Sequence, residues 1–323
     1  MVSVILVVVA SPTPIPIDFP VGRTARRLDW VHLPPAVRSA VERRLGSPVE
    51  EARSRDAGFT PGLASVLTCA DGSRHFLKAA SATAQKVVAD AYRGEIARLR
   101  TLPPSAPAPR LQWSLDAEDW VVLCIEYVDA TSPARPWDAA DLAACSAMLV
   151  TAAAELTPAP GVGVPTFAEE VGSWAGLWRT HLSHLPYAAE CAELADRIEE
   201  VSAGETLVHG DLREDNLLLD AAGRAWLCDW AWPARGAAWL DSLLLLIGPY
   251  GDGVDVEAHL ATHPLLAPVP PADVDTVLAL HLGYFTVAAD LPRVSNSPYL
   301  RTMAAWQRDA LHRWLAERRG WGG

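Results

Sequence analysis

Residues 205–230 read ETLVHGDLREDNLLLDAAGRAWLCDW, and within them Asp211, Asn216 and Asp229 stand five and then thirteen positions apart. Apolar runs at Thr206–His209, Asn216–Leu219 and Ala225–Cys228, with a turn centred on Gly223, predict a loop followed by a hairpin. Asp211 then sits on the loop, Asn216 enters the first strand and Asp229 leaves the second. A loop carboxylate, a carboxamide and a second carboxylate meet at one end. Transfer of a γ-phosphoryl group asks little more of a protein than this: a group that orients the attacking hydroxyl, and oxygen ligands for Mg²⁺. Asp211 suits the first task, Asn216 and Asp229 the second.

The order and spacing resemble the catalytic loop and metal-binding aspartate of the kinase-like fold. His209-Gly210-Asp211, with Asp229-Trp230 in place of Asp-Phe-Gly, is similar to the aminoglycoside phosphotransferase and choline kinase family. The resemblance implies an α+β, protein-kinase-like fold of two lobes, a strand-rich first lobe and a mainly helical second lobe, over roughly residues 35–320. It implies ATP-dependent phosphorylation of a small-molecule hydroxyl, with Asp211 as catalytic base and Asn216 and Asp229 as Mg²⁺ ligands. His209 and Gly210 shape the loop, and Asp241, in the apolar helix Trp239–Ile247, braces it from below.

Such a chain needs a strand lysine for the nucleotide phosphates and a helix glutamate to hold it. Lys78 lies in a short apolar strand after the Asp71-Gly72 turn signal. Of 27 basic residues only Lys78 and Lys86 are lysines, so a lysine kept in that strand stands out. A compact ammonium can reach phosphates in a narrow site where a planar guanidinium cannot replace it. Glu95, on the following helix, is the expected partner, and Lys86 is expected to be a solvated charge. The segment Gly58–Ser65 precedes the strand where a phosphate-covering loop belongs, with the Ser65 hydroxyl as a cofactor contact. Asp119–Asp129 is an apolar strand running into a polar break. In the family it is the connector between lobes, where backbone groups near Glu126, Tyr127 and Val128 bond the adenine edge. The nucleotide that the resemblance implies is ATP, with GTP the alternative.

These positions divide the chain into a tail at 1–21, a nucleotide-binding lobe at 22–125, a hinge at 126–133 and a second lobe at 134–323. A chain of 323 residues exceeds one core, and half of its residues are hydrophobic. The apolar run Val2–Ala10 is too short to span a bilayer and lacks a preceding basic flank, so neither a membrane span nor a targeting signal is expected. The run is expected to be an edge strand, a loose tail or an upstream start-site extension, which Pro12, Pro14, Pro16 and Pro20 separate from the domain. Five scattered cysteines, never in Cys-x-x-Cys spacing, argue against disulfides and metal clusters and for a reducing cytoplasm.

Residues 1–133 carry 15 basic and 14 acidic side chains, and residues 134–323 carry 12 and 25. The acidity thus belongs to the lobe that receives the acceptor, which favours a cationic acceptor and disfavours nucleic acid. Helices are expected from Asp138 to Thr157, near 167–185 and 187–203, and near 273–291 and 298–318. Most of the 13 tryptophans are expected in the core, with Trp174 or Trp232 available as a shelf for a sugar or a cation. Trp230 is expected to pack beneath the metal site. The expected activity is Mg-ATP-dependent O-phosphotransfer to a small, cationic, hydroxylated molecule, an antibiotic first. A choline, homoserine or sugar-amine kinase and a nucleotide-binding module without turnover are the alternatives. No feature of the sequence sets an oligomeric state.

Overall fold

The computed structural model describes residues 12–20, 24–55, 57–161 and 163–321. The apolar run Val2–Ala10 lies outside the described residues. Helix α1 (Pro35–Leu45) opens with proline at its first position and closes at Gly46, whose φ of +77° is a left-handed value that glycine adopts without a Cβ clash. Five antiparallel strands follow: β1 (Val49–Ser54), β2 (Leu63–Cys69), β3 (Arg74–Ser81), β4 (Leu111–Ala117) and β5 (Trp120–Glu126), in the order β1-β2-β3-β5-β4. Helix α2 (Lys86–Leu99) connects β3 to β4.

The side-chain alternation of these strands builds two faces. Leu63, Leu67, Leu77, Ala79, Val122 and Cys124 pack with Val37 and Val41 of α1. Ala80, Val121, Leu123 and Ile125 face the other way and pack with Ala89, Tyr92 and Ile96 of α2. Lys78 has the parity of the second face, opposite Ala64 on β2 and Leu123 on β5. A strand period of two therefore aims it at α2 and at the space between the lobes.

The second lobe begins with β6 (Ala130–Thr131) and α3 (Ala139–Glu155), which Asp138 caps by accepting the Asp141 N–H at 2.8 Å. The two helices expected over 167–203 are instead four short ones: α4 (Phe167–Val171), α5 (Leu177–Thr180), α6 (Ala188–Ala195) and α7 (Ile198–Val201). Gly172 and Gly176 bound a 3-10 stretch between the first two, where a continuous α-helix would bear two glycine penalties within five residues. Three strands carry the site: β7 (Thr206–Val208), β8 (Leu217–Asp220) and β9 (Ala225–Leu227). β7 pairs with β10 (Ala234–Gly236), and β8 pairs with both β9 and β6, so the hinge exit is tied to the hairpin. The apolar segment after Trp239 forms α8 (Leu240–Leu245) and α9 (Ile247–Gly251), followed by α10 (Val256–Thr262), α11 (Pro271–Asp290) and α12 (Leu300–Arg319).

Residues 12–20 do not stand apart from the domain. Ile15 is buried in the helical core, its N–H bonds the Gly251 carbonyl at 2.7 Å, and its carbonyl accepts from Trp306 Nε1 at 3.2 Å. Pro12, Pro14, Pro16 and Pro20 belong to an extended strap. Such backbone, with few N–H groups to satisfy, packs on a helical surface without needing a sheet partner. All five cysteines are unpaired, and among the described residues no helix is long and apolar enough to cross a membrane.

Candidate active site

The loop after β7 is held by its backbone. Asp241, in the first turn of α8, accepts the His209 N–H at 2.7 Å on one carboxylate oxygen and the Gly210 N–H at 2.9 Å on the other. Gly210 has a φ of +76°, which turns the chain sharply so that Asp211 points away from α8. His209 Nε2 lies 2.8 Å from the Cys228 carbonyl and its Nδ1 accepts the Asp211 N–H at 3.3 Å, partners that assign the proton to Nε2. The imidazole thus stitches the loop to the end of β9 and meets the buried Trp230 edge-on at 5.0 Å. Burial pushes the Asp241 carboxyl up, against the pull of His209 and the two N–H groups.

A 3-10 turn, Glu214–Asn216, carries Asn216 to the residue before β8. Its Nδ2 donates to the Asp211 carbonyl at 2.9 Å and to Asp211 Oδ2 at 3.1 Å. Asp229, two residues past β9, has a φ of +66°, a left-handed value more accessible to aspartate than to most side chains. Arg213 pairs with the other Asp211 oxygen and, at 3.0 Å, with Asp215. Loop, turn and hairpin therefore bring Asp211, Asn216 and Asp229 to one end, as their spacing predicts.

Lys78 reaches this end from β3. Its Nζ donates to both Glu95 oxygens at 2.8 Å and to Asp229 Oδ1 at 2.9 Å. Glu95 is presented by the buried face of α2, where Ala89, Tyr92, Glu95 and Ile96 recur at helical spacing. One ammonium faces two carboxylates in a desolvated space. Burial alone would lower the Lys78 ammonium, but Asp229 and Glu95 hold it above the usual lysine range. Burial likewise opposes charge on Asp229, yet Lys78 keeps that carboxyl below its ordinary value. Glu95 is the carboxyl pushed up, to about 7, by burial and by Asp229 against the pull of Lys78.

Residues 65–241, more than half of the chain, match the phosphotransferase enzyme family. The chain belongs to that family. Solved structures share the fold at low identity. A thermostable mutant of aminoglycoside phosphotransferase APH(4)-Ia, in ternary complex with ADP and hygromycin B, aligns at a TM-score of 0.59 and 16% identity over 89% of this chain and 99% of that one. Choline kinase LicA from Streptococcus pneumoniae aligns at 0.59 and 14% identity over 86% and 98%. Macrolide 2′-phosphotransferase MphH from Brachybacterium faecium aligns at 0.51 and 15% identity over 85% and 98%. No curated protein matches the sequence.

Within this phosphotransferase the cleft between the lobes is lined by Lys78, Glu95, Asp211, Asn216 and Asp229, and at its other end by Glu126, Tyr127 and Val128. The Glu126 N–H bonds the Arg110 carbonyl at 2.8 Å, its carboxylate accepts the Arg110 N–H at 3.2 Å, and the Val128 carbonyl accepts from Ala130 at 2.9 Å. Ser65 does not join them. It lies inside β2, not on the preceding loop, and shares the face of Leu63 and Leu67, while its neighbours Ala64 and Val66 line the cleft. The strand starts at Leu63, so a serine two residues in points to the α1 side. The loop that borders the cleft is Ala57–Thr60.

Several lining residues of the phosphotransferase escaped the sequence. Arg213 and Asp215 sit between the motif positions, where no spacing rule marks them; the alternation Asp211, Arg213, Asp215 was the available signal. Tyr92, three residues before Glu95 on the same helix face, is buried, and its phenol is pushed up to about 12 by that burial. Lys86 starts α2 at the surface and pairs with Asp90 one turn on.

Proposed function

We infer that this phosphotransferase moves the γ-phosphoryl group of Mg-ATP onto a hydroxyl of a small molecule. The observation that carries this is the meeting of Asp211, Asn216, Asp229, Lys78 and Glu95 at one end of a cleft whose other end is a hinge. Asp211 accepts a hydrogen bond from the acceptor hydroxyl, aligns its oxygen on the phosphorus and takes its proton as the new P–O bond forms and the bond to the nucleotide breaks. Lys78, oriented by Glu95, bonds the phosphates. Backbone groups at Glu126 and Val128 meet the adenine edge, and GTP is the alternative base. Asn216 Oδ1 and the Asp229 carboxylate are oxygen donors of the hard kind that Mg²⁺ takes, and two protein ligands suffice where phosphates and water complete an octahedron. When bound, the ion neutralises and orients phosphate oxygens.

The acceptor proposed is a hydroxylated cation. The stack of Trp174 on Tyr284, with ring centroids 4.0 Å apart, lies close enough to the catalytic loop for Tyr284 to sense the charges of Asp211 and Arg213. Trp232, 60% exposed, lines the cleft. Aromatic faces attract cations and ring CH groups. An aminoglycoside-like antibiotic is the first acceptor to try, with choline, homoserine and sugar amines as the metabolic alternatives. The proposed compartment is the cytoplasm, where ATP and free thiols coexist.

The test is turnover of Mg-ATP, with product detected by mass, against aminoglycosides, other hydroxylated antibiotics, choline and homoserine. Asp211→Asn is expected to lower turnover about 10²–10⁴-fold while leaving nucleotide binding intact. A phosphorylated product formed equally well by Asp211→Asn would sink the assignment of the base. Tight ATP binding with no product from any acceptor would favour a nucleotide-binding module.

A further inference from the structure

The cleft has a wall built by chain that precedes α1. Residues 12–20 are fixed to the helical lobe through Ile15, and Trp30 is buried in the core beneath the sheet. Between them the strap touches both sides of the cleft. Thr24 Oγ1 donates to the Gly58 carbonyl at 2.6 Å, Arg27 Nη2 to the Ala57 carbonyl at 2.7 Å, and the Arg26 N–H to the Asn296 carbonyl in the α11–α12 loop at 2.9 Å. Phe59, next to these loop residues, is met edge-on by Phe19 at 6.5 Å, lies under the Arg213 guanidinium at 5.7 Å, and its carbonyl accepts from Ser297 Oγ at 2.7 Å. Strap, loop and catalytic loop form one wall.

Arg27 lines the cleft from this wall. A Cβ on Gly58 would lie 3.1 Å from Arg27 Nη2 and 3.4 Å from Asp215 Oδ2, which puts the guanidinium at the end of the cleft that holds the catalytic loop. The charges of Lys78 and Arg27 both bear on the Tyr92 hydroxyl, whereas Arg55, the exposed arginine of the lining, bears on Tyr127 at the hinge. The other cations at this end already have counter-charges: Lys78 has Glu95 and Asp229, and Arg213 has Asp211 and Asp215. Among the described residues no carboxylate stands within ion-pair distance of Arg27. Its Nε is buried with no hydrogen-bond partner there. A planar fork with one N–H on a carbonyl, another desolvated and no carboxylate beside it among the described residues is suited to an anion.

We propose that Arg27 binds the terminal phosphates of the nucleotide, so that the segment preceding α1 completes the phosphate site together with Lys78. This rests on the nucleotide-dependent transfer inferred above. The Arg26–Asn296 bond on the strap keeps this arginine in register with the catalytic loop, a contact that neither lobe could make alone.

The experiment is calorimetric titration of the full chain with Mg-ATP and, separately, with AMP, for the unsubstituted protein, Arg27→Ala, Arg27→Gln, Arg27→Lys and Arg26→Ala. Arg27→Gln retains a donor for the Ala57 carbonyl, so loop packing is kept while the charge is lost. Charge-assisted bonds of this kind predict that the ratio of ATP to AMP affinity falls about tenfold or more in Arg27→Ala and Arg27→Gln. It should be partly recovered in Arg27→Lys and unchanged in Arg26→Ala, whose exposed side chain is not part of the lining. An unchanged ratio overturns the proposal, whether both affinities hold or both fall together, the latter being the mark of a strap that only props the loop. ATP binding without turnover of any acceptor would defeat the proposed function while the ratio still decides on Arg27. No nucleotide binding by the unsubstituted protein would defeat both.

Discussion

At the scale of residues the site is organised around a deficit of positive charge. Lys78 is the one cation between Glu95 and Asp229, and its removal would leave the buried Glu95 carboxylate without its partner, facing the one-third-exposed Asp229. Breaking a buried pair by deleting one partner costs about 3–5 kcal/mol. Lys78→Met should therefore lower the free energy of urea unfolding by about that amount, and Lys78→Met/Glu95→Leu should recover most of it without restoring ATP binding. If Lys78→Met alone unfolds at the urea concentration of the parent, the trio is not electrostatically coupled. Much of this was legible in advance. Lys78 stood out as the lysine kept in a strand of an arginine-biased chain, and Glu95 as an acid on the helix that follows. Arg213 and Arg27 were not legible, because one arginine among 25 says nothing until its partners, or the lack of them, are seen in three dimensions.

At the scale of elements, the geometry of the candidate site is produced by two short hairpin strands and by one carboxylate beneath them. Asp241 satisfies two consecutive N–H groups that the turn at Gly210 removes from any ladder. An unsatisfied buried donor costs about 1–3 kcal/mol, so Asp241→Ala should cost about 2–5 kcal/mol in stability. It should also lower kcat far more than it raises KM for ATP, since the loop moves while the Lys78 site stays in place. Steady-state kinetics with ATP varied would read this, and a change in KM alone would contradict a bracing role. The hairpin, α11 and α12 were readable because each has a local period or a turn glycine. The stretch from 167 to 203 was not, since its apolar pattern is helical throughout while its glycines and its packing on α11 break it into pieces. Arg197, between α6 and α7, bonds Asp273 at the start of α11 at 2.8 Å, a link across 76 residues with no trace in local sequence.

At the scale of the whole molecule, the arginines of the second lobe pair with its carboxylates and leave its acidic excess in place. Asp196, Asp273, Asp275, Glu257 and Glu190 pair with arginines outside the cleft lining, and buried Arg135 bridges Asp252 to Glu214. The lobe has a weakness of the opposite kind in His281, buried in α11 between Phe167 and Trp174 with Nδ1 on the Val277 carbonyl at 2.8 Å. Burial lowers this imidazole to about 4, against the smaller upward pull of Val277. The unfolded chain, with an ordinary histidine near 6.5, takes up a proton that the folded chain refuses between those values. Stability from this group is thus complete above pH 6.5 and is lost as pH falls toward 4, by about 3 kcal/mol across the window. Urea unfolding from pH 7 to 4.5 should show a steeper loss in the parent than in His281→Leu, by about one proton of slope. Because the comparison is of slopes, a variant of lower absolute stability still answers it. Parallel slopes would mean that His281 is charged in the folded lobe or reaches water, and that the acid sensitivity of the molecule lies in its ion-paired carboxylates.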